Sequence, residues 1–353
     1  MFSRLPVAAL ALVAALLISG CATEQQTGNP RFGISPGADI LWIPEDEMNR
    51  ELDLYKSMGF GWLRLDIDWH SIEPAVGEFN WEPTDRVVEA ARKRGLRVLA
   101  MPAYTPAWAA SVPGDPHSEP ADMGTYAQFV ALAVQRYEPL GVHDWEIWNE
   151  PNSSLFWKPR PNVTQYAEML REAAEAIREN DSSATVVAGA LAPAYNAKNK
   201  SQIKPVTFVE QLYAAGAAPY FDVLSVHPYT YPNTPTSTES TWRTSFDLTQ
   251  IHKTMDALGD AKPIWITEFG APTGADPLAV SEESQAEILV GALRDAPVGI
   301  ERVFLYGGRD RGSDPANREQ NFGFVRTDFT DKLSRGALQD VLRAPRVASS
   351  TPP

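Results

Sequence analysis

The chain has 353 residues, 44% of them hydrophobic and 22% charged, and a formal net charge of -14. Such a composition describes a folded, enzyme-sized body, and its acidity argues against nucleic acid as a partner, whose usual footprint is a basic patch. The one cysteine, Cys21, leaves no internal disulfide to form.

Arg4 gives the N-terminus a positive charge, Leu5 to Ile18 form an apolar run too short for a permanent membrane span, and Ile18-Ser19-Gly20-Cys21 closes it. The small residues before Cys21 resemble a bacterial lipobox. That resemblance implies a signal peptide over 1–20 and lipid on Cys21. The mature protein would be exported and held at the cell membrane, facing away from the cytoplasm, without a transmembrane helix. Residues 21–30 are expected to be the lipidated cysteine and a tether, 31–343 the folded domain, and 344–353 a disordered tail.

Along the body, short apolar strands alternate with helical segments, the pattern of a parallel sheet covered by helices. Strands are predicted at Arg31–Ser35, Trp62–Asp68, Arg97–Ala103, Asp144–Glu150, Thr185–Gly189, Asp222–His227, Ile264–Glu268 and Arg302–Tyr306. Between them, apolar residues recur at three- and four-residue spacing, as at Tyr166, Met169, Leu170, Ala173 and Ile177. Eight strand–helix units without a break in composition predict a single (β/α)8 TIM barrel, an α/β fold closed by right-handed crossovers. A doubly wound open sheet would want a Gly-rich first turn, and Gly33-Ile34-Ser35-Pro36-Gly37 lacks the spacing.

In such a barrel the chemistry sits where the strands run out. Two strands of similar design, Asp144-Trp145-Glu146-Ile147-Trp148-Asn149-Glu150 and Ile264-Trp265-Ile266-Thr267-Glu268, each deliver a glutamate there. Two carboxyl groups, one protonated and one ionised, are what cleavage of a glycosidic bond requires. Glu150 and Glu268 are therefore the candidate catalytic pair.

The motif Trp148-Asn149-Glu150-Pro151, with Thr267-Glu268-Phe269-Gly270, resembles the clan A glycoside hydrolases. So does the run from Trp69 through Ile72-Glu73-Pro74, Gly77 and Phe79 to Trp81 and Asp85. Thr105-Pro106-Ala107-Trp108 and His227-Pro228-Tyr229 bring it nearest to family 39, with family 5 next. The resemblance implies a retaining enzyme with Glu150 as acid/base and Glu268 as nucleophile. It further implies that Asn149 bonds a sugar 2-hydroxyl, that Tyr229 or His227 touches the nucleophile or the sugar, and that Arg64 holds Glu268 ionised. Trp69, Trp108 and Trp157 would offer flat faces to sugar rings. Where the clan commonly has a tryptophan at the end of the eighth strand, this chain has Tyr306.

Glu73, in its Ile-Glu-Pro context, reads as structural, and Trp62, Trp145 and Trp265, inside strands, read as core. Asp66 and Asp68 share a strand face, yet the histidines show no metal-ligand spacing, so neither a metal nor another cofactor is expected. The sequence thus points to a lipid-anchored hydrolase of O-glycosidic, β-type bonds in an extracytoplasmic oligo- or polysaccharide. Transglycosylation through the same intermediate and a non-catalytic carbohydrate-binding lipoprotein are the alternatives.

Overall fold

The computed structural model describes residues 28–235, 244–297 and 299–344. Cys21, the signal segment and all but the end of the expected tether lie outside the described residues, as does the tail beyond 344. Eight strands, β1 Asn29–Ser35, β2 Phe60–Asp68, β3 Arg97–Ala103, β4 Asp144–Ile147, β5 Thr185–Leu191, β6 Val223–Val226, β7 Ile264–Ile266 and β8 Ile300–Tyr306, form a closed barrel in chain order. Every pairing is parallel, including that of β8 with β1. This is the single (β/α)8 barrel that the alternation of elements predicts.

The strands are covered by α1 Glu45–Met58, α2 Trp69–Ile72, α3 Glu82–Lys93, α4 Met123–Tyr137, α5 Val163–Asn180, α6 Pro205–Ala214, α7 Thr244–Ala257, α8 Glu282–Arg294 and α9 Leu333–Arg343. Asp122, Asn162 and Ser281 cap α4, α5 and α8 by accepting from backbone N–H groups of the first turn, which satisfies donors the helices cannot. Among the described residues, no helix is long and apolar enough to cross a membrane.

Strand alternation sorts the side chains into two cores. On β2, Leu63, Leu65 and Ile67 face outward into the large apolar cluster beneath the helices, whereas Trp62 faces the barrel axis. There it joins Leu99, Val187, Val223, Trp265 and Phe304 in an apolar floor drawn from six strands. Gly33 makes room for that floor: a Cβ on it would sit 2.3 Å from the Phe304 ring. Burying each large side chain contributes about 1.5–3 kcal/mol. Two and four residues beyond Trp62 on the same strand face come Arg64 and Asp66, above the floor.

Seven strands differ from expectation at one or both ends, among them β1, β4 and β7. Asn29 and Pro30 belong to β1 and not to a tether, since Asn29 pairs with Phe60 and its N–H donates to Gly59. β4 stops at Ile147 and β7 at Ile266, so both glutamates follow their strands. On β4 the cause is backbone geometry: Trp148 has φ 70° and Glu150 φ 47°, the left-handed region that leaves the ladder.

Candidate active site

Glu150 is set by that turn. Its N–H donates to Ala190 O across the gap to β5 at 3.2 Å, where the register of β5 against β6 shifts and Ala190 itself has φ 51°. The Trp148 indole N–H donates to Phe156 O at 2.7 Å, pinning the same turn from below. Non-glycine residues in this region cost on the order of 1–3 kcal/mol each and gather at functional sites. Opposite, Glu268 leaves β7 two residues past its last ladder position. One oxygen of each carboxylate and the Nδ1 of His227 all lie within 4.8 Å of one another.

Arg64 ties these parts together. Its guanidinium donates to Glu146 and to Glu268 Oε1, and Nη2 donates to Asn149 Oδ1 at 2.9 Å. Further contacts reach Ser35 Oγ at 3.4 Å and the Met101 sulfur at 2.8 Å. Side chains from β1, β3 and β4 and the residue beyond β7 thus meet one planar cation, whose fork of donors suits several acceptors at once. Asn149 spends its oxygen on Arg64 and keeps its amide nitrogen as a donor on the cleft wall. The Tyr229 hydroxyl donates to Glu268 Oε2 at 2.8 Å, and His227, fully buried, places Nδ1 2.9 Å from Glu150 Oε1 and Nε2 3.1 Å from Thr267 Oγ1.

The two carboxylates differ in environment. Burial raises both pKa values above the ordinary carboxylate range. Against that, Glu268 has the Arg64 charge and the Tyr229 hydroxyl to stabilise its anion, whereas Glu150 has mainly the hydrogen bond of His227. Burial lowers the pKa of His227 more than Glu150 raises it, so the imidazole is neutral at neutral pH. Burial also opposes charge on Arg64, but Glu146, Glu268 and Asp66 outweigh it and raise its pKa. Tyr229 is pushed well up, by burial and then by Glu268, and remains a donor.

Glu150, His227 and Glu268 are the one group among the described residues with donor atoms close enough to share a metal ion. Both oxygens of Glu268 are already engaged, by Arg64 and Tyr229, and Glu150 Oε1 is paired with His227 Nδ1.

The carboxylates open into a cleft of about 500 Å³. Arg64, Asn149, Glu150, Tyr229, Glu268 and Tyr306, all singled out from the sequence, line it; His227 stands behind the wall. The tryptophans do not fit their expected part. Trp69 is fully buried, its indole donating to Glu73 Oε2 at 2.8 Å and its ring stacked on Phe129 with centroids 5.3 Å apart. Trp108, half-buried, donates to Glu73 O at 2.9 Å and packs edge-on to Trp69 away from the cleft. Trp157 is fully buried between Trp148 and Tyr166. None of the three offers a face to a sugar in the cleft, and Glu73 serves as the structural acceptor for Trp69 and Trp108. The aromatic wall is instead Tyr104, Phe156, Tyr229, Tyr231, Tyr306 and Phe322.

Glu146 was given no role from the sequence, and Asp66 was weighed there only as a metal ligand. Glu146, fully buried inside β4, accepts from Arg64; an acid set between Trp145 and Ile147 was its signal. Asp66 lines the cleft with no protein hydrogen bond to its carboxyl among the described residues, and burial, with Asp68, Glu268 and Glu146 nearby, raises it to about 7 despite Arg64.

The sequence profile of cellulase (glycosyl hydrolase family 5) matches residues 19–299. Among solved structures, a family 39 glycoside hydrolase from Bacteroides cellulosilyticus WH2 is similar at 24% identity and TM-score 0.67, over 88% of this chain and 63% of that one. A monomeric beta-xylosidase from Caulobacter crescentus CB15 is similar at 19% identity and TM-score 0.68, over 89% and 68%. GH5_18 from Streptomyces cattleya in complex with GlcNAc is similar at 18% identity and TM-score 0.67, over 92% and 82%. A comparison with curated proteins finds no match. The chain thus spans about 63% of the length of the first of these structures, and they establish the fold. With eight parallel strands, paired glutamates beyond β4 and β7, and a profile covering most of its length, the chain belongs to the cellulase family of glycoside hydrolases, glycosyl hydrolase family 5.

Proposed function

We propose that the protein is a retaining glycoside hydrolase acting by double displacement, with Glu268 as nucleophile and Glu150 as acid/base. The observation that carries this reading is the approach of the two carboxylates, with one oxygen of each within 4.8 Å of the other. Retaining enzymes hold their carboxyl groups about 5–5.5 Å apart, and inverting ones about 6.5–9.5 Å, to admit a water. The division of roles follows from the partners. Glu268, held by Arg64 and Tyr229, is the better anion to attack the anomeric carbon. Glu150, raised by burial and facing a neutral imidazole, is the better proton donor to the leaving oxygen. Attack by Glu268 expels the leaving group as Glu150 gives up its proton; Glu150 then takes a proton from water, which releases the sugar from Glu268.

The substrate in this reading is a β-linked glycan, in keeping with the beta-xylosidase among the similar structures, and Asn149 donates to its 2-hydroxyl. The protein works outside the cytoplasm on a lipid-bearing Cys21. Proton NMR of the first product tests the mechanism: a β-glycoside giving β-hemiacetal before mutarotation supports it, and α-product overturns it. Membrane fractionation of the Cys21→Ser protein tests the anchor, which is rejected if the protein stays in the membrane fraction.

A further inference from the structure

Beside the catalytic cleft lies a second, larger depression of about 1030 Å³, between the loop leading into α5, the loop joining β5 to α6, and α6 itself. The two are joined by a shared wall residue, Gln202. The β5–α6 loop runs from one to the other: Ala192 and Pro193 line the cleft, and Asn196, Ala197 and Lys200 line the groove. Between them in the chain stands Tyr195, 62% exposed.

The groove has the chemistry of a polyhydroxylated ligand. Gln165 and Gln211 line it with side-chain amides that make no protein hydrogen bond among the described residues. An amide both donates and accepts, as does a sugar hydroxyl. Two buried oxygens in the wall, Gln202 Oε1 and Glu119 Oε2, also lack a partner, and Glu119 is only 6% exposed. Buried polar atoms are nearly always paired, and hydroxyls of a ligand or water relieve such a deficit. Tyr195 itself lines neither cavity, but its exposed ring, on the loop between Pro193 of the cleft and Asn196 of the groove, is large and stiff enough to carry a sugar ring passing from one to the other.

We propose that this groove is a carbohydrate-binding subsite for the stretch of glycan beyond the cleft, so that the preferred substrate is a chain of several sugar units crossing Gln202, not a short glycoside. The inference rests on the glycosidase reading above. Its test uses the full chain with β-linked aryl glycosides and ladders of β-1,4-linked gluco-, manno- and xylo-oligosaccharides of two to six units. Wild-type kcat/KM should climb at least tenfold along the ladder of the accepted sugar. Tyr195→Ala, and separately Gln211→Trp, which fills the groove from an exposed helix position, should flatten that climb while keeping aryl glycoside cleavage within twofold. A flat wild-type ladder, aryl glycoside cleavage with no ladder accepted, or variants that still climb would overturn the subsite. Absence of any aryl glycoside or oligosaccharide cleavage by wild type would instead count against the glycosidase reading, and circular dichroism of both variants separates lost binding from lost fold.

Discussion

The imidazole Nδ1 of His227 lies 2.9 Å from Glu150 Oε1, and the same nitrogen is 3.5 Å from Glu268 Oε2. A single neutral ring therefore senses both carboxylates. Its replacement by alanine should lower kcat by about 10²-fold, the lower end of what a positioned acid–base group contributes, with a smaller change in KM. Because the folded pKa of His227 is depressed, wild type should lose stability as pH falls below about 6.5, the ordinary histidine value. The variant should lose less over that window, as thermal melts at pH 7 and pH 5 will show.

Glu268→Gln should abolish turnover, by on the order of 10⁴-fold or more, without a comparable fall in Tm. Glu150→Ala should retain aryl glycosides with good leaving groups and regain rate with azide, a small anion able to replace the missing base. Uniform loss across leaving groups, unrescued by azide, would move the acid/base role elsewhere.

The kcat/KM profile of wild type should be bell-shaped, with both limbs above the ordinary carboxylate range, because burial raises both glutamates. The limbs belong to the coupled pair. Glu150→Gln should remove the alkaline limb for activated substrates, which need no proton on the leaving group.

Asp66 makes a separate prediction. Its folded pKa of about 7 lies far above the unfolded value near 3.9, so it is stabilising in its protonated form and the benefit is lost as pH rises between these values. Across that window wild-type stability should fall relative to Asp66→Asn by at most about 1.4 kcal/mol per pH unit. Since the carboxyl faces the cleft unpaired, the variant should also shift KM between sugars that differ in one hydroxyl. Identical melts at pH 4 and pH 7.5 and an unchanged sugar preference would dismiss both effects.

Arg64→Met should cost about 3–5 kcal/mol, since it strands Glu146 and Glu268 without their cation. Trp157→Ala should cost a similar amount through a core cavity, and Trp157→Phe, which keeps the fold, should leave KM unchanged. A raised KM in the phenylalanine variant would restore the sugar-platform reading of Trp157.

The barrel was legible because eight apolar runs alternate with amphipathic helices, and Arg97–Ala103 was placed to the residue. The strand ends were less so. Nothing in Trp148-Asn149-Glu150 announces left-handed backbone at two non-glycine positions, because that conformation is imposed by the bond to Ala190 and the Phe156 carbonyl. The tryptophans misled for a related reason: Trp157 lies in a connection, where exposure is the rule, yet its indole is enclosed by Trp148 and Tyr166. Gln202 was invisible, since an amide in a long polar loop gains meaning only when two cavities are seen to share it.

The Arg64 hub joins Ser35, Met101, Glu146, Asn149 and Glu268 across the inside of the ring. Closure of the barrel and assembly of the glutamate pair are consequently one event: a chain that has not brought β1, β4 and β7 together has no such cleft to expose. The two glutamates sit just past the ends of β4 and β7, tied back to the strands through Arg64 on β2, while the β5–α6 loop and its neighbours carry the outer surfaces. A change confined to those loops would therefore reshape what the cleft can hold while leaving the Arg64 ring as it is.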